Sequence, residues 1–449
     1  MHIILLSGGS GSNLWPLSND SRSKQFLRLL PVGGHGDRCE SMVQRIVRQI
    51  RQAGLRADIT VATAVCQQDG IISQLGGEVG IVTEPTRRET FPAVCLTCEY
   101  LALEKQLPPE EPIIVMPCDP YTDAGYFQRI ADMVSCLESS LADLILMGIP
   151  PTGPETDYGY IVPGKPLGSY DARSVSRFTE KPSVALAENL ISRGALWNSG
   201  VYAFRLGYLT EIARRYVDVP SFADVRANYT SYPPISFDYE VAEKSPSAAV
   251  LTYDGEWKDL GNWNTLTAHL RRNTYGNVTL DPTTSNTHII NELDIPIMCI
   301  GANDLVVAAS PDGILISHKD SCDEIKTYAS RLKSRPMYEE RRWGTYKVID
   351  YIDYPDGYSA LTKHLVLHPG ASISYQQHAC RDEVWTFIDG QGEIVLDGER
   401  RPVHRGMTIY IPKGMRHALR ALTPLSFIEV QSGSNLVETD ITRYPYSWD

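Results

Sequence analysis

The sequence predicts an α/β fold in its N-terminal part that gives way to all-β structure towards its C-terminus, and three observations carry that reading. First, short β-rich apolar runs at residues 2–6, 58–62, 113–116 and 144–148 each stop at a turn, and helical stretches at 41–52 and 91–105 lie between them. Strands that alternate with helices imply a mainly parallel sheet covered on both faces. Second, from about residue 277 to 319 short apolar runs are separated by turn residues, as in His288-Ile289-Ile290-Asn291 and Asp304-Leu305-Val306-Val307. These read as short strands with no helix between them, a β-helix-like segment. Third, after the charged stretch 326–342, strand-like pieces at 361–367, 384–388, 393–396 and 427–430 imply a separate all-β domain. The expected boundaries are 1–275, 276–335 and 336–449.

Composition narrows the class of partner. A formal net charge of −12 over 449 residues argues against broad nucleic-acid or anionic-membrane binding, which needs a basic surface, so any phosphate site must be local. The nine cysteines are odd in number and scattered, which fits a reducing cytoplasm rather than a disulfide framework. Cys95 and Cys98 form a CxxC inside an apolar stretch with no second pair, the setting of core packing. The first apolar run is too short for a signal peptide, and no stretch reaches the ~20 apolar residues of a membrane span. The expectation is a cytoplasmic chain with neither membrane nor nucleic-acid partner.

The first strand runs into Ser7-Gly8-Gly9-Ser10-Gly11-Ser12-Asn13. Glycine lacks the Cβ that would keep backbone N–H groups away from phosphate oxygens, so a strand ending this way can cradle a phosphate. The loop has no Gly-Lys-Ser/Thr ending and does not complete a dinucleotide fingerprint. Its continuation, Leu14-Trp15-Pro16-Leu17-Ser18 and then Lys24-Gln25-Phe26-Leu27, is more specific. With it the chain resembles the mannose-1-phosphate guanylyltransferases, of the long type fused to a phosphomannose-isomerase-like cupin domain. The resemblance continues in order through Glu84-Pro85 with Arg88 and Thr90, Pro117-Cys118-Asp119, Tyr158-Gly159-Tyr160, Glu180-Lys181-Pro182, Trp197-Asn198-Ser199-Gly200, Phe237-Asp238-Tyr239 and Trp257-Lys258-Asp259.

The resemblance implies a Rossmann-like nucleotidyltransferase domain that joins GTP to mannose 1-phosphate, giving GDP-mannose and pyrophosphate. In that chemistry a sugar phosphate oxygen attacks the α-phosphorus in line, so the protein positions two anions and neutralises the charge between them. Asp119 and Asp259 match the family's Mg²⁺ ligands, oxygen donors of the kind that ion prefers. Gly8, Gly9, Gly11, Lys24, Glu84, Pro85, Arg88 and Thr90 match nucleotide contacts. Glu84 would accept hydrogen bonds from N1–H and the exocyclic amine of guanine, a donor pair adenine lacks. Gly159, Glu180, Lys181 and Asn198 match contacts to the sugar phosphate. Self-association is a further expectation.

Two positions depart from the family. Asn13 stands where an arginine would stabilise charge on the triphosphate, and Glu89 stands where the family has asparagine. They leave open a transferase for another sugar or nucleotide, or a nucleotide-sugar-binding regulatory protein. Arg22, two residues before Lys24, is the expected substitute for the missing charge.

Towards the C-terminus, Gly370, Gln376, His378, Glu383 and Gly390 keep the ligand spacing of a cupin barrel, and Gly406, Pro412, Gly414 and His417 keep the spacing of its second half. Gln376, His378, Glu383 and His417 resemble the Zn²⁺ set of phosphomannose isomerases, and Arg381 matches the motif arginine. The flanking His378-Ala379-Cys380 and Glu383-Val384-Trp385 differ from the family's three successive histidines and Glu-His-Trp.

Overall fold

The computed structural model describes residues 1–9, 11–32, 38–168, 170–332 and 335–448; Ser10 of the glycine loop lies outside the described residues, and of Ser12 no side chain is described. The chain divides into two units. The first holds Met1–Ser10, Ser23–Gln68 and Leu75–Arg271, and the second holds Gly11–Arg22, Asp69–Gln74 and Arg272–Asp449.

The first unit is built on a nine-stranded sheet. Its strands are β1 (His2–Ser7), β2 (Asp58–Ala64), β3 (Gly80–Glu84), β4 (Pro112–Pro117), β5 (Leu144–Ile149), β6 (Tyr160–Pro166), β7 (Arg173–Thr179), β8 (Leu196–Arg205) and β9 (Ala248–Thr252), in the order β3-β2-β1-β4-β8-β5-β9-β7-β6. From β3 to β4 every pairing is parallel, whereas β8 runs antiparallel to both neighbours. The continuous apolar character of β1, β4 and β5 follows from burial on both faces. Ile4, Ile113, Leu146 and Phe204 are fully buried in one core with the helix α2 (Thr90–Leu103). That helix is apolar around most of its circumference, Cys95 and Cys98 included, because it is enclosed by the core. An amphipathic helix, α1 (Met42–Gln52), begins with a capping box in which Ser41 and Gln44 satisfy each other's backbone N–H groups. Because β1, β3 and β4 are parallel, Ser7, Glu84 and Pro117 end at one edge of the sheet, the edge where such folds bind ligands.

In the second unit, Thr274–Tyr275, His288–Asn291 and Leu305–Ser310 stack in parallel, as do Val278–Leu280 and Ile297–Cys299. Parallel stacking of successive short strands is β-helix geometry, and Gly313–His318 closes it with an antiparallel pairing. The C-terminal part folds into a six-stranded and a five-stranded sheet around Leu361, Trp385, Phe387, Ile394, Leu419 and Phe427. The alternation of buried and partly buried residues along Ser359–Leu367, Arg381–Asp389 and Leu425–Gly433 is that of strands with one inner face.

Candidate active site and metal centre

At the carboxyl edge of the sheet, Ser7, Gly8, Gly9, Glu84, Arg88, Glu89, Thr90, Asp119 and Asp238 line one cleft of about 450 Å³. Gly8 cannot carry a side chain without crowding, since a Cβ there would stand 3.1 Å from Glu84 Oε1. Gln25 donates to both the carbonyl and the hydroxyl of Ser7, at 3.2 and 3.0 Å, and fixes the strand end. Gly11 opens a 3-10 helix, Gly11–Leu14, in the second unit.

Asp119 and Asp259 converge through strand pairing. Pro120–Thr122 pairs antiparallel with Trp257–Asp259, so Asp259 lies opposite Pro120 and next to Asp119. Lys24 Nζ lies 2.7 Å from Asp119 and 3.4 Å from Asp259. Burial disfavours the Lys24 charge, yet the two carboxylates outweigh it and raise the pKa, so the ammonium stays protonated. Burial raises the Asp259 pKa in turn, and Lys24 opposes that shift. Two carboxylates converging on one compact cation make an oxygen site that also suits a divalent ion.

The buried Glu84 accepts a 2.6 Å hydrogen bond from Tyr229, a residue with no sequence signal of its role. Burial raises its pKa against Tyr229, Arg87 and the Arg88 backbone N–H. Arg88 donates through Nε and Nη2 to the Tyr232 carbonyl, and Thr90 Oγ1 accepts from the Phe237 backbone. Pro85 is exposed and does not line the cleft.

A second cluster brings Gly159, Glu180 and Asn198 together. A Cβ on Gly159 would stand 2.6 Å from Glu180 Oε2 and 2.9 Å from Phe178, so any larger residue would displace one of them. Asn198 donates to Tyr202 at 2.7 Å and to Asp238 at 2.6 Å, and Tyr202 donates to the same Asp238 oxygen. Burial and the neighbouring Asp238 push Glu180 up to about 7. Lys181, exposed and at φ 43°, lies 3.8 Å from Glu180. Asp238 lay within a recognised motif, but its link to Asn198 depends on the tertiary fold.

Arg22 departs from expectation. Its guanidinium makes two hydrogen bonds to Glu292, at 2.7 and 2.8 Å, and lies over the Tyr338 ring in the second unit. A guanidinium committed to its own bidentate partner is a structural cation, and Arg22 is not among the residues lining the cleft.

In the C-terminal barrel, ligand atoms of His378, Glu383 and His417 lie within 4.8 Å of one another, all buried. Pairing of Gln376 with His417 and of Glu383 with Gln431 sets this convergence. His378 Nδ1 donates to the Asp440 carbonyl at 2.6 Å and His417 Nδ1 to the Met415 carbonyl at 3.0 Å. Since carbonyls only accept, both Nε2 lone pairs face Glu383, the tautomer a metal needs. Burial lowers both imidazole pKa values, and His417 Nε2 is buried without a hydrogen-bond partner. Burial raises the Glu383 pKa, but His417, His378 and Arg381 outweigh it and hold the carboxylate ionised. This donor set fits a transition-metal ion such as Zn²⁺. Gln376 faces the set, but its Oε1 accepts from Ser374 and its Nε2 lies 3.4 Å from His378 Nε2, so ligation would need the amide turned over. Arg381 donates to Glu383 at 2.9 Å and lies 3.2 Å from His378 Nε2. Trp385 donates to Glu383, and Gln431 bridges Glu383 and Glu429, whose carboxyl burial and Glu383 push up to about 8.

Known proteins match both parts of the chain. Residues 2–274 match the nucleotidyl transferase family, and residues 332–445 match the mannose-6-phosphate isomerase C-terminal family. The xanthan biosynthesis protein XanB of Xanthomonas campestris pv. campestris is 34% identical over 98% of this chain and 97% of its own. The mannose-1-phosphate guanylyltransferase of Escherichia coli strain K12 is 30% identical over 99% and 98%. The alginate biosynthesis protein AlgA of Pseudomonas aeruginosa is 31% identical over 98% and 95%. The crystal structure of a mannose-1-phosphate geranyltransferase from Thermus thermophilus superimposes with a TM-score of 0.59 at 28% identity, covering 74% of this chain and 99% of that one. The chain belongs to the nucleotidyl transferase family, in the two-domain group that carries a mannose-6-phosphate isomerase C-terminal domain, and is a nucleotidyltransferase enzyme.

Proposed function

We propose that the first unit transfers GMP from GTP to mannose 1-phosphate, releasing pyrophosphate and GDP-mannose, in the cytoplasm. The observation that carries this reading is Lys24 held between Asp119 and Asp259 beside a glycine-ended strand. A phosphate oxygen of the sugar attacks the α-phosphorus as the bond to the pyrophosphate oxygen breaks. Gly8 and Gly9 admit the phosphates, Lys24 offsets their charge, and Glu84 orients the base. Gly159, Glu180 and Asn198 hold the sugar, with Lys181 on its phosphate. Asp119 and Asp259 would hold Mg²⁺, which supplies further neutralisation of the triphosphate.

A panel of triphosphates and sugar 1-phosphates assayed for pyrophosphate tests the reading. GTP with mannose 1-phosphate should give the highest kcat/KM, and Lys24→Ala should lower it at least a hundredfold. Nucleotide binding without pyrophosphate release from any pair would favour the regulatory alternative, which Asn13 and Glu89 prompted. A maximum with another pair would favour a different substrate.

For the second unit we propose a Zn²⁺ site on His378, Glu383 and His417, with mannose-6-phosphate isomerase chemistry in which Arg381 takes part. Zn²⁺-dependent conversion of fructose 6-phosphate, lost in His417→Ala, is expected. No conversion by the Zn²⁺-loaded chain would refute the isomerase assignment.

A further inference from the structure

Among the residues lining the cleft the cations are Arg87 and Arg88, and they hold different positions. Arg88 is fixed by two hydrogen bonds to the Tyr232 carbonyl, and its backbone N–H supports the Glu84 carboxylate. The loop therefore curls around that carboxylate. Arg87 projects from the curl with an exposed side chain, its Nη2 3.7 Å from Cys66 Sγ, close enough to Glu84 for its charge to act on the carboxylate. One wall of the cleft thus carries an ionic acceptor and a guanidinium donor within four residues of sequence.

We propose that Arg87 donates to the O6 and N7 edge of a guanine whose N1–H and exocyclic amine are held by Glu84, and that the pair selects guanine over adenine. The proposal rests on the nucleotidyltransferase reading of the cleft and adds a specificity-determining residue to it. Guanine presents an acceptor, O6, beside two donors on one edge, and N7 as a further acceptor. A guanidinium next to a carboxylate is the complement of that edge. Adenine presents an amine donor at position 6 and an acceptor at N1, so each charged partner would meet a group of its own kind. A hydrogen bond from a charged donor contributes enough to change affinity roughly ten- to a hundredfold. Arg87 is exposed, so replacing it leaves the core intact.

The test is equilibrium binding of GTP, ITP and ATP to the full chain, in parallel with pyrophosphate release. The wild-type chain should bind GTP and ITP, which share O6 and N1–H, more tightly than ATP. Arg87→Ala should weaken GTP and ITP at least tenfold and leave ATP within twofold, and Arg87→Lys should restore part of the loss. An equal loss on all three nucleotides, or none, overturns the proposal. If guanine selectivity disappears in Arg87→Ala while even the wild type releases no pyrophosphate, Arg87 keeps its role and the transferase reading fails. A wild-type chain that binds none of the three overturns both.

Discussion

Glu89 is a residue whose backbone conformation opposes its residue type and whose charge would oppose a bound triphosphate. It sits at φ 74° and ψ −179°, a region open essentially to glycine, at the head of α2 and in the lining of the cleft. Glu89→Gly should stabilise the chain by about 1 kcal/mol, since the relieved strain of roughly 1–3 kcal/mol exceeds the added chain entropy of glycine. The same variant should tighten GTP binding, and Glu89→Gln should tighten it without stabilising. Calorimetry together with nucleotide titration separates strain from charge, and a Glu89→Gly protein no more stable than wild type would refute the strain. At Glu180 the raised pKa favours the neutral carboxyl in the folded state. Its contribution to stability is complete below the ordinary carboxylate range and is lost as pH rises through about 7. Ionisation also sets a negative charge beside Asp238 where the sugar phosphate would lie. KM for mannose 1-phosphate should therefore climb between pH 6 and 8, and that slope should be absent in Glu180→Gln. A wild-type KM that is flat over the range would remove Glu180 from the sugar site.

The elements explain why some of these residues were legible in sequence and others were not. Apolar runs ending in turns announced β1, β2, β4 and β5, because a strand buried on both faces must be apolar throughout. The antiparallel course of β8 was not announced, since a buried strand reads alike in either direction. Motif order brought Lys24, Asp119 and Asp259 to notice, whereas Tyr229 on Glu84 and Asp238 on Asn198 depend on contacts far apart in sequence. Arg22 shows the opposite failure, for nearness in sequence to Lys24 gave no sign that its guanidinium would be bonded to Glu292, 270 residues away. The pairing of Pro120–Thr122 with Trp257–Asp259 brings the two aspartates together, so it can be tested without altering either. Lys258→Pro, opposite Tyr121, removes a strand donor and should lower turnover at least tenfold with the far-ultraviolet circular dichroism preserved. Turnover unchanged in that variant would show that the ladder does not set the carboxylate geometry.

On the scale of the whole molecule, the residues that line the cleft belong to the first unit and the cluster of His378, Glu383 and His417 belongs to the second. Removal of metal by a chelator should lower the melting temperature of the second unit. The loss corresponds to about 2.7 kcal/mol where the ion had been present at a hundred times its Kd. His417→Ala should abolish that response and leave pyrophosphate release unchanged. A chelator-insensitive melting curve for the metal-loaded chain would count against the metal site. Arg22→Ala should act on the second unit too, costing about 1 kcal/mol because its partner Glu292 is exposed to solvent, with kcat within twofold of wild type.

Membership of Gly11–Arg22 in the second unit also constrains how the chain can be dissected. Ser310 donates to the Pro16 carbonyl at 2.7 Å, Asn19 donates to Asp312 at 2.7 Å, and Leu14 and Leu17 are buried. A fragment cut after Arg271 would retain this segment and discard the partners that bury it. The loose ends would be apolar, so the fragment should be prone to aggregate and to be clipped by proteases near residues 11–22. Separating the two proposed activities therefore calls for point substitutions in the intact chain, because no single cut parts the units cleanly.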